Sequence, residues 1–157
     1  PRSKWRVSMF RTFGANPTPM PFSEVFVGLQ TGAIDGQENP LTHIAANKLQ
    51  EVQKYLSISG HVYSPAFVLA SEKNWSKLPA DVRKILEETA EGVRPWIYKT
   101  VAAADARLVD ELKTKGMKVN HVNRESFVKQ SQPVYDAFDK EVEGGGKMIA
   151  DILSLAK

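Results

Sequence analysis

The chain has 157 residues, of which 42% are hydrophobic and 25% are charged, and it contains no cysteine. This composition predicts one globular domain with a hydrophobic core, and the lack of cysteine excludes a disulfide framework and a thiolate metal site. No stretch approaches about 18 consecutive apolar residues, so we do not expect the chain to span a membrane. The net charge of +3 is small, but residues 1–23 contain four basic residues and no acidic one, which favours an anionic ligand or partner.

The N-terminal part of the chain predicts a short strand, an extended entry and a short helix. Residues 5–7 alternate apolar, basic and apolar side chains, which is the pattern of a strand. Three prolines lie between residues 17 and 21, and each fixes φ and removes a backbone donor, so this stretch should be extended. Ser23 is expected to cap a helix over residues 24–30, and Gly32 is expected to end it.

Polar side chains gather directly after this helix. Residues 33–34 predict the start of a buried strand, and a turn at Asp35 ends it, so that Asp35, Gln37, Glu38 and Asn39 lie together at the strand end. Three of these side chains, Asp35, Gln37 and Glu38, carry oxygen atoms that suit a cation. Their spacing differs from that of a calcium-binding loop, so a solvated turn is the preferred interpretation.

The remaining chain alternates predicted helices and strands, which indicates an α/β fold. The longest helix should open at residues 78–81, run to Lys115 and be kinked by Pro95. The apolar run at residues 66–71 is typical of a strand buried on both faces. The other predictions are a helix over 40–55 capped by Asn39, strands at 55–59 and 118–120, a helix over 124–142 capped by Asn123, and a last helix ending near Leu155 after a flexible joint of three glycines at 144–146.

Residues 19–40 form the most recognisable segment of the chain. Their sequence, Pro-Met-Pro-Phe-Ser-Glu-Val-Phe-Val-Gly-Leu-Gln-Thr-Gly-Ala-Ile-Asp-Gly-Gln-Glu-Asn-Pro, resembles the signature of the solute-binding subunits of tripartite ATP-independent periplasmic (TRAP) transporters, of the DctP type. The likeness covers almost the whole chain and indicates the C-terminal half of that family's fold. It continues through residues 51–56, 60–65, 75–79 and 112–116.

This resemblance implies a periplasmic-binding-protein-like α/β fold that has two lobes in the intact protein, with the long kinked helix spanning both lobes. Residues 1–70 would supply mainly second-lobe elements around a ligand cleft. Residues 71–115 would form the hinge-spanning helix and its lead-in, and residues 116–157 the C-terminal strand and helices. The N-terminal half of the family fold has no counterpart in these residues.

The resemblance also implies a periplasmic receptor, without catalysis or a cofactor, that binds a small organic acid such as a dicarboxylate and delivers it to the TRAP permease subunits in the membrane. Arg6 would form a bidentate salt bridge with the ligand carboxylate, Phe22 would form an aromatic wall or belong to the core, and Asn39 would hydrogen-bond the ligand. His61 lies on a connection that is expected to approach the cleft. The sequence contains no basic-then-apolar leader, so we expect a secreted form to be mature, with its signal peptide removed, or truncated.

Two other function classes fit the sequence less well. A carboxylate-dependent hydrolase or lyase would use Asp35 or Glu38 with His43 or His61, but no nucleophile elbow, phosphate loop or metal-ligand spacing accompanies them. A nucleic-acid binder would use the basic N-terminal end, where Trp5 and Phe10 are the obvious stacking candidates and no known reading motif occurs. We therefore predict no metal site and no nucleic-acid partner.

Overall fold

A computed structural model describes residues 3–155, which contain eight α-helices, one 3-10 helix and two β-strands. Within these residues no helix combines the length and the apolarity needed to cross a membrane. In chain order the elements are α1 (Lys4–Thr12), α2 (Phe22–Thr31), α3 (Leu41–Ala46), the 3-10 helix (Leu49–Glu51), β1 (Tyr55–Ile58), α4 (Glu72–Trp75), α5 (Ala80–Thr114), β2 (Lys118–His121), α6 (Arg124–Gln130), α7 (Gln132–Glu141) and α8 (Gly145–Ser154).

The two strands form a parallel pair that confirms the strands predicted near residues 55–59 and 118–120. Leu56 lies opposite Val119 in the register, and the chain passes from one strand to the other through α4 and α5. Parallel strands require such a crossover, because a tight turn can join only antiparallel neighbours. The α/β character predicted from the alternating elements is therefore present.

One hydrophobic core holds α2, α3, the 3-10 helix, β1 and the C-terminal end of α5 together. Its most enclosed side chains are Leu49 and Leu112, at 1% and 0% exposure. A cluster of buried apolar side chains surrounds them, and Phe22 packs against its edge. The cluster consists of Val25, Leu29, Ile44, Leu49, Leu56, Leu112 and Met117.

The strand predicted at residues 5–7 is wrong, because these residues belong to α1. Trp5 packs edge-on against Phe138 of α7, with the ring centroids 5.2 Å apart. An alternation of three residues is too short to separate a period of two from a period of 3.6, and contacts with a distant helix decide the local structure here.

The helix predicted over residues 24–30 is confirmed as α2, and its end is also confirmed. Gly32 follows it in the left-handed conformation, with φ of 74°, and donates its N–H to the carbonyl of Leu29. Ser23 lies inside the helix and does not cap it. The strand predicted at residues 33–34 is wrong, because the chain turns back and Ile34 donates its N–H to the carbonyl of Gly28.

Two helices predicted as continuous are divided. The helix predicted over 40–55 is interrupted at Lys48, whose φ of 53° is incompatible with a right-handed helix. The helix predicted over 124–142 is divided at Ser131, and Pro133 lies in the first turn of α7, where its missing N–H has no structural cost. The predicted cap is confirmed, since the side chain of Asn123 accepts the N–H of Ser126 at 3.3 Å.

The long helix is confirmed as α5, a helix of 35 residues with Pro95 inside it. The strand predicted at 66–71 is wrong, since these residues form no helix or strand and are exposed.

The flexible joint predicted at residues 144–146 is also wrong. Gly144 precedes α8 with φ of 73°. Gly145 is buried in the first turn of α8 and lies against the backbone of α7. Gly145 therefore allows the two helices to pack closely and does not act as part of a flexible joint.

Candidate functional site

The predicted ligand-contacting residues line two neighbouring cavities. A cavity of about 810 Å³ is lined by Arg6 from α1, by Phe22 from the start of α2 and by Asn39 from the loop between α2 and α3. A smaller cavity of about 320 Å³ is lined by His61, which follows β1, and also by Asn39. The structure therefore brings three of the four predicted residues to one cavity and the fourth to its neighbour. Both cavities share Phe10, Gly36, Gln37, Glu38 and Asn39 as lining residues.

Glu38 lines both cavities, and its carboxylate contacts Arg6 of the larger cavity and His61 of the smaller one. Its side chain is only 12% exposed and accepts a hydrogen bond of 2.8 Å from Nη1 of Arg6. Its second carboxylate oxygen lies 3.3 Å from Nε2 of His61, and the other ring nitrogen of His61 lies 2.6 Å from the Ser59 hydroxyl. A chain of polar contacts thus runs from α1 through the loop after α2 to the end of β1.

The charge of Glu38 is stabilised by these partners. Burial raises the pKa of the Glu38 carboxyl, but the hydrogen bonds from His61 and Arg6, with the electrostatic attraction of both groups, outweigh burial and leave the pKa below its ordinary value. The carboxylate is therefore ionised at neutral pH. It holds Arg6 at the cavity as a fixed cation.

Arg6 contacts Glu38 through one nitrogen, whereas a guanidinium carries five N–H donors. A planar guanidinium can also bind a second carboxylate through two parallel hydrogen bonds. The Arg6 side chain is 38% exposed, so an entering anion can reach it. The arrangement can neutralise one carboxylate of a small molecule.

Asn39 does not cap the following helix, which corrects the expectation from its position before Pro40. The residue at the N-cap of α3 is Pro40, and the amide nitrogen of Asn39 donates a hydrogen bond of 2.6 Å to the side-chain oxygen of Gln37. This bond fixes the amide at the wall shared by both cavities. An asparagine amide has donor and acceptor groups, so Asn39 can also hydrogen-bond a ligand.

Aromatic rings form apolar walls beside these polar groups. Phe22 lies edge-on to His43, with the ring centroids 5.6 Å apart, and it also packs against the hydrophobic core. Both expectations for Phe22, core and cavity wall, are therefore compatible with its position. Phe10 lies edge-on to His61, with the ring centroids 5.4 Å apart, and lines both cavities.

Only some of the residues proposed for the alternative hydrolase or lyase activity contact one another. Glu38 and His61 are in contact, but the lowered pKa of Glu38 makes its carboxylate a weak base. His43 lies instead against Phe22, and Asp35 accepts a hydrogen bond from Gln53 through its backbone carbonyl. Within residues 3–155 no group of three or more potential ligands could hold a metal ion.

Two of the four basic residues near the N-terminal end form ion pairs within the chain. Lys4 forms an ion pair with Glu141, and Arg6 pairs with Glu38. Trp5, proposed above as a stacking residue, packs against α7, and Arg2 lies outside the described residues. Lys4, Arg6 and Trp5 thus have partners within this chain, whereas Arg11 is exposed on α1.

A model of one protein family matches residues 1–141 of the chain. The family is DctP, the bacterial extracellular solute-binding proteins of family 7. The chain belongs to this family. The resemblance noted in residues 19–40 is therefore confirmed.

Members of the DctP family with known names or structures match almost the whole chain. The sialic acid-binding periplasmic protein SiaP of Vibrio cholerae is 38% identical over 142 residues, which is 90% of this chain and 44% of SiaP. A TRAP periplasmic solute-binding protein from Polaromonas sp. JS666, bound to D-erythronate, superposes with a TM-score of 0.87 at 41% identity over 96% of this chain and 50% of that one. A Haemophilus influenzae protein of the same description, with bound L-gulonate, gives a TM-score of 0.87 at 30% identity over 95% and 50%.

These matches confirm the predicted fold class, the α/β fold of TRAP solute-binding proteins with a long helix. The chain spans about half the length of the relatives that it matches. Sequence reasoning named Arg6, Asn39 and His61, but it missed the role of Glu38 as the common partner of Arg6 and His61. The separation of 32 residues between Arg6 and Glu38 left no local pattern that could reveal the pair.

Proposed function

We propose that this chain supplies one half of an extracytoplasmic solute receptor, which binds a small hydroxylated monocarboxylate and delivers it to the permease subunits of a TRAP transporter. The main observation that supports this proposal is that one cavity of about 810 Å³ is lined by Arg6, Phe22 and Asn39, which come from three separate parts of the chain. Cavities that hold small molecules are typically about 300–1,000 Å³ and combine apolar walls with a few polar groups. Arg6 would bind the carboxylate, and Asn39 would orient it.

The two cavities together favour a sugar acid over a dicarboxylate. Among the charged residues that line them, Arg6 is a cation, whereas Asp35 and Glu38 are acidic. A second ligand carboxylate would meet the acidic side chains, whereas hydroxyl groups can exchange hydrogen bonds with the amides and hydroxyls of the smaller cavity. D-Erythronate and L-gulonate, the ligands of the two solved relatives, have this chemistry.

The remaining parts of the proposal follow from family membership. The receptor would work in the periplasm, and α5 would span two lobes that close over the ligand. Residues 1–70 would contribute mainly to the lobe that carries the cavity, and residues 116–155 would complete it. Excluding water around the Arg6–carboxylate pair would strengthen it, because charge attraction increases as the local dielectric falls.

Arg6→Ala tests the carboxylate site. Titration of the isotopically labelled chain with D-erythronate, followed by NMR, should give an affinity at least about tenfold lower for the variant, which corresponds to about 1.4 kcal/mol. The matched control is Arg11→Ala, because Arg11 is exposed on the same helix and is not among the cavity-lining residues. Equal affinities for Arg6→Ala and the parent chain would refute the assignment of Arg6. Tighter binding of succinate than of D-erythronate would refute the preference for a monocarboxylate.

A further inference from the structure

The loop between α2 and α3 is fixed by contacts that do not involve Gln37. Near its start, the backbone carbonyl of Asp35 accepts a hydrogen bond of 3.1 Å from the side chain of Gln53. Further along, the Glu38 carboxylate holds the two partners described above. At its end, Pro40 restricts the residue before it to extended conformations. The course of the loop backbone is therefore set without Gln37.

Gln37 bonds instead to a residue of the candidate site. Its side-chain oxygen accepts the hydrogen bond of 2.6 Å from the amide nitrogen of Asn39. Both residues are half-buried, and both line the two cavities. The bond therefore lies at the wall that an entering ligand would touch.

This bond decides which way round the Asn39 amide is presented. The last side-chain torsion of asparagine has a broad, roughly two-fold preference, so the amide oxygen and nitrogen can exchange places at small cost. In the exchanged orientation the Asn39 oxygen would meet the Gln37 oxygen, and two acceptors cannot form a hydrogen bond. Gln37 therefore favours the orientation in which the Asn39 nitrogen faces Gln37. Within residues 3–155 the Asn39 oxygen then accepts no hydrogen bond.

This oxygen can accept a hydrogen bond from a ligand hydroxyl. Because Arg6 bonds to Glu38, the residue before Asn39, the guanidinium and the Asn39 amide occupy neighbouring parts of the cavity wall. A ligand whose carboxylate binds Arg6 would bring the group next to that carboxylate close to Asn39. A hydroxyl there donates to the Asn39 oxygen, whereas a ligand without it leaves a desolvated acceptor unpaired, which is unfavourable.

We propose that Gln37 is a positioning residue that makes the site select 2-hydroxy acids, because it fixes the Asn39 amide with its oxygen available to the ligand. This inference rests on the proposed function, since it requires that a carboxylate binds Arg6. It goes further because it assigns recognition of the hydroxyl beside that carboxylate to the Gln37–Asn39 pair.

The test compares D-erythronate with 3,4-dihydroxybutanoate, which lacks only the hydroxyl next to the carboxylate. NMR titration of the isotopically labelled chain gives the ratio of the two dissociation constants for each variant. The parent chain should bind D-erythronate at least about fivefold more tightly, which is the effect of one ordinary hydrogen bond. Gln37→Leu should abolish this preference, because leucine has a similar size but no acceptor for the Asn39 amide.

Gln37→Glu is the conservative variant. Its carboxylate accepts the N–H of Asn39 but cannot donate, so it also excludes an arrangement in which both amides have turned round together. It should keep the preference for D-erythronate, although its negative charge weakens the binding of both acids. Gln132→Leu is the matched control, because Gln132 is exposed on α7, donates to Asp136 and lies outside both cavities. It should leave both affinities unchanged.

A measurement without ligand separates this inference from the proposed function. Gln37→Leu should shift the side-chain amide resonances of Asn39 in the ligand-free chain, because it removes their hydrogen-bond acceptor. Unchanged Asn39 resonances would overturn the inference, as would a parent chain without the preference or a Gln37→Leu variant that weakens both acids by the same factor. A parent chain that binds neither acid would refute the proposed function and the hydroxyl selection together, whereas the Asn39 resonances would still show whether Gln37 holds the amide.

Discussion

Glu38 is the residue on which the geometry of the candidate site depends most. It lies between Arg6 and His61, and each of its carboxylate oxygens contacts one of them. A half-buried carboxylate with two such partners stabilises the folded chain only while it is ionised. Its charge state therefore links the site to pH.

Glu38→Gln should lower the free energy of unfolding at pH 7 by about 1.5–3 kcal/mol, the usual range for hydrogen bonds to charged groups. The pKa of Glu38 is lower in the folded chain than its ordinary value of 4.5. Its stabilising effect is thus fully present above pH 4.5 and is lost as the pH falls through the lowered pKa. Urea denaturation between pH 7 and pH 3 should show the difference between parent and variant shrinking toward acid pH.

Glu87→Gln is the control for this series, because Glu87 is exposed on α5 away from both cavities. Its effect should stay within about 0.5 kcal/mol, as is usual for surface substitutions. A deficit for Glu38→Gln that stays constant from pH 7 to pH 3 would contradict the proposed ionic role of Glu38.

The sequence predicted which residue types surround the site better than it predicted their contacts. Arg6, Phe22 and Asn39 do line one cavity, although Arg6 is presented by a helix instead of a strand. The predicted capping by Asn39 fails because its amide is bonded to Gln37, a competitor only two residues away. The pairing of Arg6 with Glu38 depends on tertiary contacts, which no local pattern encodes.

At the scale of elements, the α7–α8 junction depends on a glycine. A Cβ at Gly145 would lie 2.9 Å from the backbone oxygen of Phe138, closer than real Cβ contacts. Gly145→Ala should therefore lower the free energy of unfolding by about 1–3 kcal/mol, the usual cost of overpacking. Thermal unfolding followed by circular dichroism measures this change.

Gly92→Ala provides the opposite expectation. Gly92 lies inside α5 with open space around its Cα, so alanine should keep or raise stability, by up to about 1 kcal/mol. If Gly145→Ala were as stable as Gly92→Ala, the close approach of α7 and α8 would be refuted.

Helices and strands that are specified by a clear hydrophobic period or a capping residue were predicted correctly, whereas the breaks between helices were not. The long helix, both strands of the sheet and the Asn123 cap were predicted, because periodicity or capping chemistry specifies them within a few residues. The breaks at Lys48 and Ser131 were missed, since polar residues continue both helical patterns across them. The segment at 66–71 reads as a buried strand because its side chains suit a sheet, and the described residues offer it no partner strand.

For the whole molecule, stability is expected to be concentrated at one end of the fold. Leu112→Ala should lower the free energy of unfolding by about 2–5 kcal/mol, because Leu112 is fully enclosed in the core. Leu86→Ala, on the same helix but 46% exposed, should cost less than about 1 kcal/mol in this chain alone. Chemical denaturation of both variants measures this difference in the free energy of unfolding. Equal losses of stability would contradict the finding that α5 joins the core only through its C-terminal end.

In the proposed receptor, Arg6 binds the carboxylate of a small organic acid in the cavity that Asn39 also lines. The most direct test is a crystal structure, with D-erythronate, of a chimera in which this chain replaces the matched part of the Polaromonas D-erythronate-binding protein. We expect the ligand carboxylate to accept hydrogen bonds of about 2.7–2.9 Å from the Arg6 guanidinium, with Asn39 in contact with the ligand. A ligand bound elsewhere, with Arg6 bonded only to Glu38, would contradict it.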